Sequence, residues 1–162
     1  MEGHYLRKHI GLMERFLLLL IFTFVIGHYV FGVNVTRICG TSMASTFNDG
    51  DYVFVTAVRD GASLQRGDII TFYPDCANDV LYIKRVIGLP GETIEAVSNS
   101  VFVDGEEVSF WHGTGTWGPI TIPEDAVFVL GDNRAVSNDS RLFGCVPFKQ
   151  ICSKILGDCR RK

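Results

Sequence analysis

A chain of 162 residues is long enough for one domain, or for one domain and an anchor, and its net charge of −3 argues against a nucleic-acid partner. Five cysteines without a Cys-x-x-Cys pair argue against a zinc site, and neither a metal nor another cofactor is expected. Seventeen glycines with frequent Val, Ile, Phe and Thr favour strands and turns over helices.

Residues 1–15 hold Arg7, Lys8 and Arg15 against Glu2 and Glu14, so the acidic excess lies in the rest of the chain. Residues 16–35 follow as a predicted transmembrane helix. Phe16–Ile26 is apolar apart from Thr23, and Tyr29–Val33 extends the run past Gly27 and His28. A span needs about 20 such residues. The basic residues ahead of it put the N-terminus in the cytoplasm and everything after Val35 outside. No small-x-small site follows the run, which argues for a retained anchor over a cleaved leader. His28, beside Tyr29, is placed at the outer interface.

From residue 36 to 158 the pattern is that of a compact, mainly β domain, an antiparallel sheet or barrel-like arrangement. Predicted strands cover Tyr52–Val58, Asp68–Tyr73, Leu81–Ile87, Thr93–Val97, Val101–Val103 and Ala126–Leu130. Turn residues separate them, and Asp104-Gly105 reads as a hairpin turn. A small insertion occupies about 92–125, and a basic tail 159–162.

Three stretches carry chemistry. In Cys39–Phe47, Ser42 follows Gly-Thr in a turn, where a hydroxyl and its own backbone N–H can be presented together as nucleophile and oxyanion donor. In the strand Leu81–Ile87, Lys84 shares a face with Tyr82 and Val86. Buried there, its ammonium is disfavoured, and the neutral amine can take a proton from a serine. Gly131–Arg141 reads Gly-Asp-Asn-Arg-Ala-Val-Ser-Asn-Asp-Ser-Arg after an apolar strand. It is too polar for core. Asp132, Arg134, Asp139 and Arg141 alternate in sign, as guanidinium–carboxylate pairs that stiffen a loop would, and Ser137 is a candidate to aim the lysine amine.

These stretches resemble those of the type I signal peptidases, membrane-bound serine proteases that remove signal peptides from exported proteins. Ser42–Phe47 resembles the family's serine box, Gly67–Phe72 its next strand motif, Tyr82–Glu92 its lysine box and Gly131–Arg141 its last box. The likeness runs from the anchor to about Ile155 and implies the fold that signal peptidases share with self-cleaving repressors. It also implies Ser42 as nucleophile, Lys84 as general base and Ser137 as the orienting hydroxyl. Asp132, Asn133, Arg134, Asp139 and Arg141 become the supporting scaffold, and the Ser42 backbone N–H an oxyanion donor. Some members place a second donor hydroxyl where this chain has Gly40, which leaves that donor unassigned. Ile38, Met43, Phe47, Tyr82 and Ile83 are implied to line shallow pockets for small side chains at −1 and −3 of an extended Ala-x-Ala substrate. The implied partners are signal peptides of preproteins, the lipid bilayer and a nearby secretion translocon, at the plasma membrane.

Two positions depart from the family pattern. Ser45 stands where proline is usual, so Ser45→Pro is expected to leave activity unchanged or raise it. Phe47 stands for leucine. Trp111 and Trp117, with Phe110, are read as an apolar lip meeting the bilayer. Cys145, Cys152 and Cys159 recur every seventh residue, which would align them on a helix, and no disulfide pairing can be deduced for them, Cys39 or Cys76. Cys39 with His112 as base lacks an orienting third group. Rival functions are a dedicated maturation peptidase of a conjugation or secretion system with the same dyad, a self-cleaving repressor, and a catalytically silent tethered binding module. The repressor would need a DNA-binding domain where this chain has its apolar segment.

Overall fold

The computed structural model describes residues 2–74, 80–108 and 115–158, with the side chains of 2–12, 28–31 and 158 outside that description. The chain divides into two compact units, Met1–Asn34 and Val35–Lys162. In the first, α1 (Glu2–Phe31) begins well ahead of the predicted span and ends four residues before its predicted limit. Gly32, with φ +62°, takes the left-handed conformation that closes a helix at little cost without a Cβ. The apolar residues Phe16–Leu20 of α1 lie on its surface, as do Ile21, Phe22 and Phe24–Ile26. Among the described residues, no helix is long and apolar enough to cross a membrane. Residues 33–35, predicted as the end of the anchor, belong instead to β1 (Val33–Arg37).

The second unit is mainly β. A seven-stranded sheet has the order β1-β2-β11-β3-β4-β9-β10, built from β1, β2 (Tyr52–Ala57), β3 (Ile69–Phe72), β4 (Tyr82–Gly88), β9 (Ala126–Leu130), β10 (Val146–Pro147) and β11 (Ile151–Asp158). A four-stranded sheet, ordered β7-β6-β5-β8, comprises β5 (Thr93–Val97), β6 (Ser100–Val103), β7 (Glu106–Glu107) and β8 (Trp117–Thr121), and fills the predicted insertion. A short helix, α2 (Ser140–Phe143), follows the polar turn. The β6–β7 hairpin turns at Asp104-Gly105 as predicted. Both residues have positive φ (49° and 81°), the combination that matches the twist of paired strands.

Strands β4 and β9 form the wall between two cores, because period-two alternation sends neighbours to opposite faces. Val127 and Val129 join Val86, Ile70, Phe72, Leu64, Val146 and Ile151 on one side. Phe128 and Leu130 join Ile87, Ile94, Ala96, Val101, Val103 and Ile122 on the other. All five residues of β9 are buried, and each large side chain so buried stabilises the fold by roughly 1.5–3 kcal/mol. A strand held from both sides gives the polar turn that leaves it at Gly131 a firm base.

Some expectations change. Residues 151–158 form β11 and not a helix, so a seven-residue spacing does not align Cys152 with its neighbours. Trp117 stacks on Phe128, with ring centroids 5.3 Å apart, and covers the core of the smaller sheet instead of forming a lip. Trp111, Phe110, His112, Cys76, Cys159 and the basic tail lie outside the described residues, as does the side chain of His28. Cys39, Cys145 and Cys152 are free thiols, and burial raises the pKa of the last two.

Candidate active site

Ser42 lies in the tight turn between β1 and β2. Ala44 N–H donates to the Thr41 carbonyl at 3.1 Å and Phe47 N–H to that of Met43 at 2.8 Å. Met43 and Phe47 pack with Ile38, Val53, Val55 and Ile83, which pins the turn from below. Met43 is only 1% exposed, whereas Ser42 stays half-buried at the surface. Ile38, Met43 and Phe47, implied to line substrate pockets, pack as core beneath Ser42, and Phe47 also borders a separate cavity with Thr46 and Gly67–Ile69. Tyr82 and Ile83 do border the open cleft, of about 240 Å³, together with Cys39–Ser42, Leu81 and Lys84.

Lys84 comes from the middle of β4, opposite Ile70 of β3. It is 4% exposed. Its Nζ lies 2.7 Å from Ser42 Oγ, donates to the Ile83 carbonyl at 2.9 Å, and sits 5.3 Å from the centre of the Tyr82 ring. Burial pushes the ammonium pKa down from 10.5 to about 8, against the opposing pull of the Asp139 and Asp132 carboxylates. A neutral amine is thus accessible near physiological pH, within hydrogen-bond reach of one hydroxyl.

The polar turn is tied back on itself and onto the serine turn. Asp139 caps α2 and receives Arg141 through two bonds, Nε to Oδ1 at 2.8 Å and an Nη to Oδ2 at 3.0 Å. It also accepts from Gly131 N–H at 3.0 Å. Arg141 donates to the Arg134 carbonyl at 2.8 Å, and Arg134 Nε to that of Gly131 at 2.7 Å. Asn133 reaches the nucleophile's own peptides: its N–H donates to Ser42 O at 3.0 Å and its Nδ2 to Thr41 O at 3.1 Å.

Asp132 has a partner that the sign pattern of the turn did not name. Arg85, next to Lys84, holds it by two bonds of 2.9 and 2.7 Å, and the Thr46 hydroxyl donates to the same carboxylate. Burial raises the Asp132 pKa, but the Arg85 and Thr46 hydrogen bonds outweigh it and leave the carboxyl below its ordinary value. The signal for Arg85 was a guanidinium on a strand flanked by apolar residues, which needs a carboxylate wherever that strand is covered.

Two predicted roles meet a different geometry. Ser137 is buried, but its hydroxyl has no hydrogen-bond partner among the described residues, and the expected bond to the Lys84 amine is not formed. The carbonyl of Ile83 fixes the amine instead. Ser137 Oγ and the Ser42 carbonyl both crowd Gly131, where a Cβ would fall 2.2 Å from the first and 2.6 Å from the second. Gly40 offers no spare donor, since its N–H is taken by Asp49 Oδ1 at 2.8 Å. The Ser42 N–H makes no hydrogen bond among the described residues and remains free for an oxyanion.

The family model for signal peptidase, peptidase S26, matches residues 9–157. The chain belongs to the signal peptidase family. Signal peptidase I of Bacillus licheniformis is 39% identical over 117 residues, 63% of this chain and 62% of that protein. Signal peptidase I S of Bacillus subtilis (strain 168) is 36% identical over 141 residues, 77% and 71% of the two chains. Signal peptidase IB of Staphylococcus aureus (strain COL) is 32% identical over 155 residues, 82% and 79%. A crystal structure of a signal peptidase I from Enterococcus faecalis V583 superposes with a TM-score of 0.48 at 33% identity, covering 55% of this chain and 93% of that one.

Within this signal peptidase sequence, the family proline's place is taken by a residue of opposite backbone conformation. Ser45 has φ +86°, whereas proline is fixed near −65°. The expectation that proline would be welcome at position 45 is overturned. The serine turn follows a different path here, one that glycine would adopt most readily.

Proposed function

We propose that the chain is a membrane-anchored Ser–Lys endopeptidase that removes signal peptides, cleaving after small residues in an Ala-x-Ala context. The observation that carries this reading is the 2.7 Å contact between a buried lysine amine and an exposed-turn serine hydroxyl. Neutral Lys84 accepts the Ser42 proton as Oγ attacks the scissile carbonyl, and the Ser42 N–H receives the developing oxyanion. The ammonium so formed returns its proton to the departing amine. Water, activated by the same amine, then hydrolyses the acyl-enzyme. Asp139 and Asp132 stabilise the transient ammonium, and Arg85 and Arg141 hold those carboxylates in place.

The apolar surface of α1 supports an anchor in the lipid bilayer, with the basic residues before it on the cytoplasmic side and the β unit outside, near the translocon at the plasma membrane. The cleft beside Leu81, Tyr82 and Ile83 is shallow enough to select small side chains from an extended peptide. The test is cleavage of a preprotein bearing an Ala-x-Ala site in detergent. Ser42→Ala and Lys84→Ala should each abolish it. Wild-type turnover by Lys84→Ala would remove the dyad from the mechanism.

A further inference from the structure

In the scaffold of the polar turn, Asn133 acts on the backbone around Ser42. Asn133 donates twice to adjacent peptides, from its backbone N–H to the Ser42 carbonyl and from its side-chain Nδ2 to the Thr41 carbonyl. A trans peptide is planar, with its C=O and N–H pointing in opposite directions. Holding the Thr41 carbonyl towards the polar turn therefore aims the Ser42 N–H away from it. The alternative donor from the preceding loop is already consumed, because the Gly40 N–H is bonded to Asp49 Oδ1. The Ser42 N–H, the oxyanion donor of the proposed function, is carried by the peptide plane between Thr41 and Ser42, so its direction depends on how that plane is set.

Building on the proposed function, we infer that the Asn133 side chain is a positioning residue for the oxyanion donor: its Nδ2 sets the Thr41–Ser42 peptide plane so that the Ser42 N–H faces the scissile carbonyl oxygen. The Thr41 carbonyl also accepts from Ala44 N–H, which lies within the same turn and moves with it. Among the described residues, the Asn133 side-chain bond references that plane to the turn after β9, and through β4 to Lys84. The role is separable from that of the Asn133 backbone. In any side-chain variant the backbone N–H still reaches Ser42 O, so the nucleophile stays tethered while the plane loses its outer restraint.

Two variants make the test, Asn133→Ala and the near-isosteric Asn133→Asp, which puts an acceptor where a donor is needed. Their kcat is expected to fall by about 10- to 100-fold, somewhat less than the loss usual on deleting an oxyanion donor outright, with KM within about twofold of wild type. In Asn133→Ala the rising limb of the pH–rate profile should keep its midpoint, because that change adds no charge and leaves Lys84 and its carboxylates in place. A second readout uses a peptide aldehyde ending in Ala-x-alaninal. Ser42 Oγ bonds to the aldehyde carbon, the hydroxyl proton passes to Lys84, and the carbonyl oxygen becomes the oxyanion. Both variants should bind this probe about tenfold or more weakly, yet bind an uncleavable peptide of the same sequence as wild type does. Unchanged kcat in Asn133→Asp, or equal weakening towards both probes, would overturn the inference. If Ser42→Ala itself still cleaved, the proposed function would fail instead, and the two failures are told apart by that control.

Discussion

For its proposed role the Lys84 amine must be neutral, yet two carboxylates lie close enough to favour its charge. Burial prevails and brings the pKa to about 8. Activity should therefore climb with pH, about tenfold per unit well below 8, and level off above it, as measured by kcat/KM against pH. Stability follows the same shift. Between about 8 and 10.5 the unfolded chain binds more protons at this lysine than the folded one, so its contribution makes the fold more stable as pH rises through that window. Lys84→Met should accordingly unfold at a higher temperature than wild type at pH 7, with the gap narrowing towards pH 10.5. Two backbone positions nearby give sharper outcomes. Ser45→Pro forces a positive-φ site into a conformation the ring forbids and should cost more than about 1 kcal/mol in denaturant unfolding along with most activity, whereas Ser45→Gly should gain about 0.5–1 kcal/mol. Gly131→Ala would drive a methyl into Ser137 and the Ser42 carbonyl, and a displacement near 1 Å there is expected to lower kcat about a hundredfold.

Among the elements, β11 has most influence on whether the large sheet forms. It lies between β2 and β3, and Ser153 pairs with Ala57 on one side and Thr71 on the other. Ser153→Pro should prevent folding of the β unit, read as loss of cooperative unfolding and of activity together, since a ring cannot serve a ladder bonded on both flanks. This strand was also the hardest to see in the sequence. Register shifts between Ile151 and Ser153 and between Ile155 and Gly157 break its period-two alternation, and what remains to the eye is a cysteine spacing. β8 hid for another reason: Gly118-Pro119 reads as a turn, although proline is admissible because β8 is an edge strand. By contrast β5 and β9 begin and end where their apolar alternation says, and β4 does so to within a residue at each end. The site shows the same division. Ser42 and Lys84, expected as a pair from the resemblance to the family's serine and lysine boxes, lie 2.7 Å apart. That Arg85 pairs with Asp132 depends on contact between distant segments, and the local pattern that calls for a carboxylate does not say which one.

The whole molecule is two units joined within β1, and the second holds every residue of the site. A fragment that begins at Val33 should therefore unfold cooperatively and keep the Lys84-dependent limb of the pH profile when assayed on a soluble peptide. The three segments that meet at the site are widely separated in the chain, with Ser42 and Lys84 42 positions apart and Thr46 and Asp132 86 positions apart. The clamp on the serine turn is synthesised after both Ser42 and Lys84. Under the proposed function, a growing polypeptide would have no cutting power until β9 and the turn after it dock. Such latency would spare a newborn copy, and other chains around it, from hydrolysis by an unfinished one.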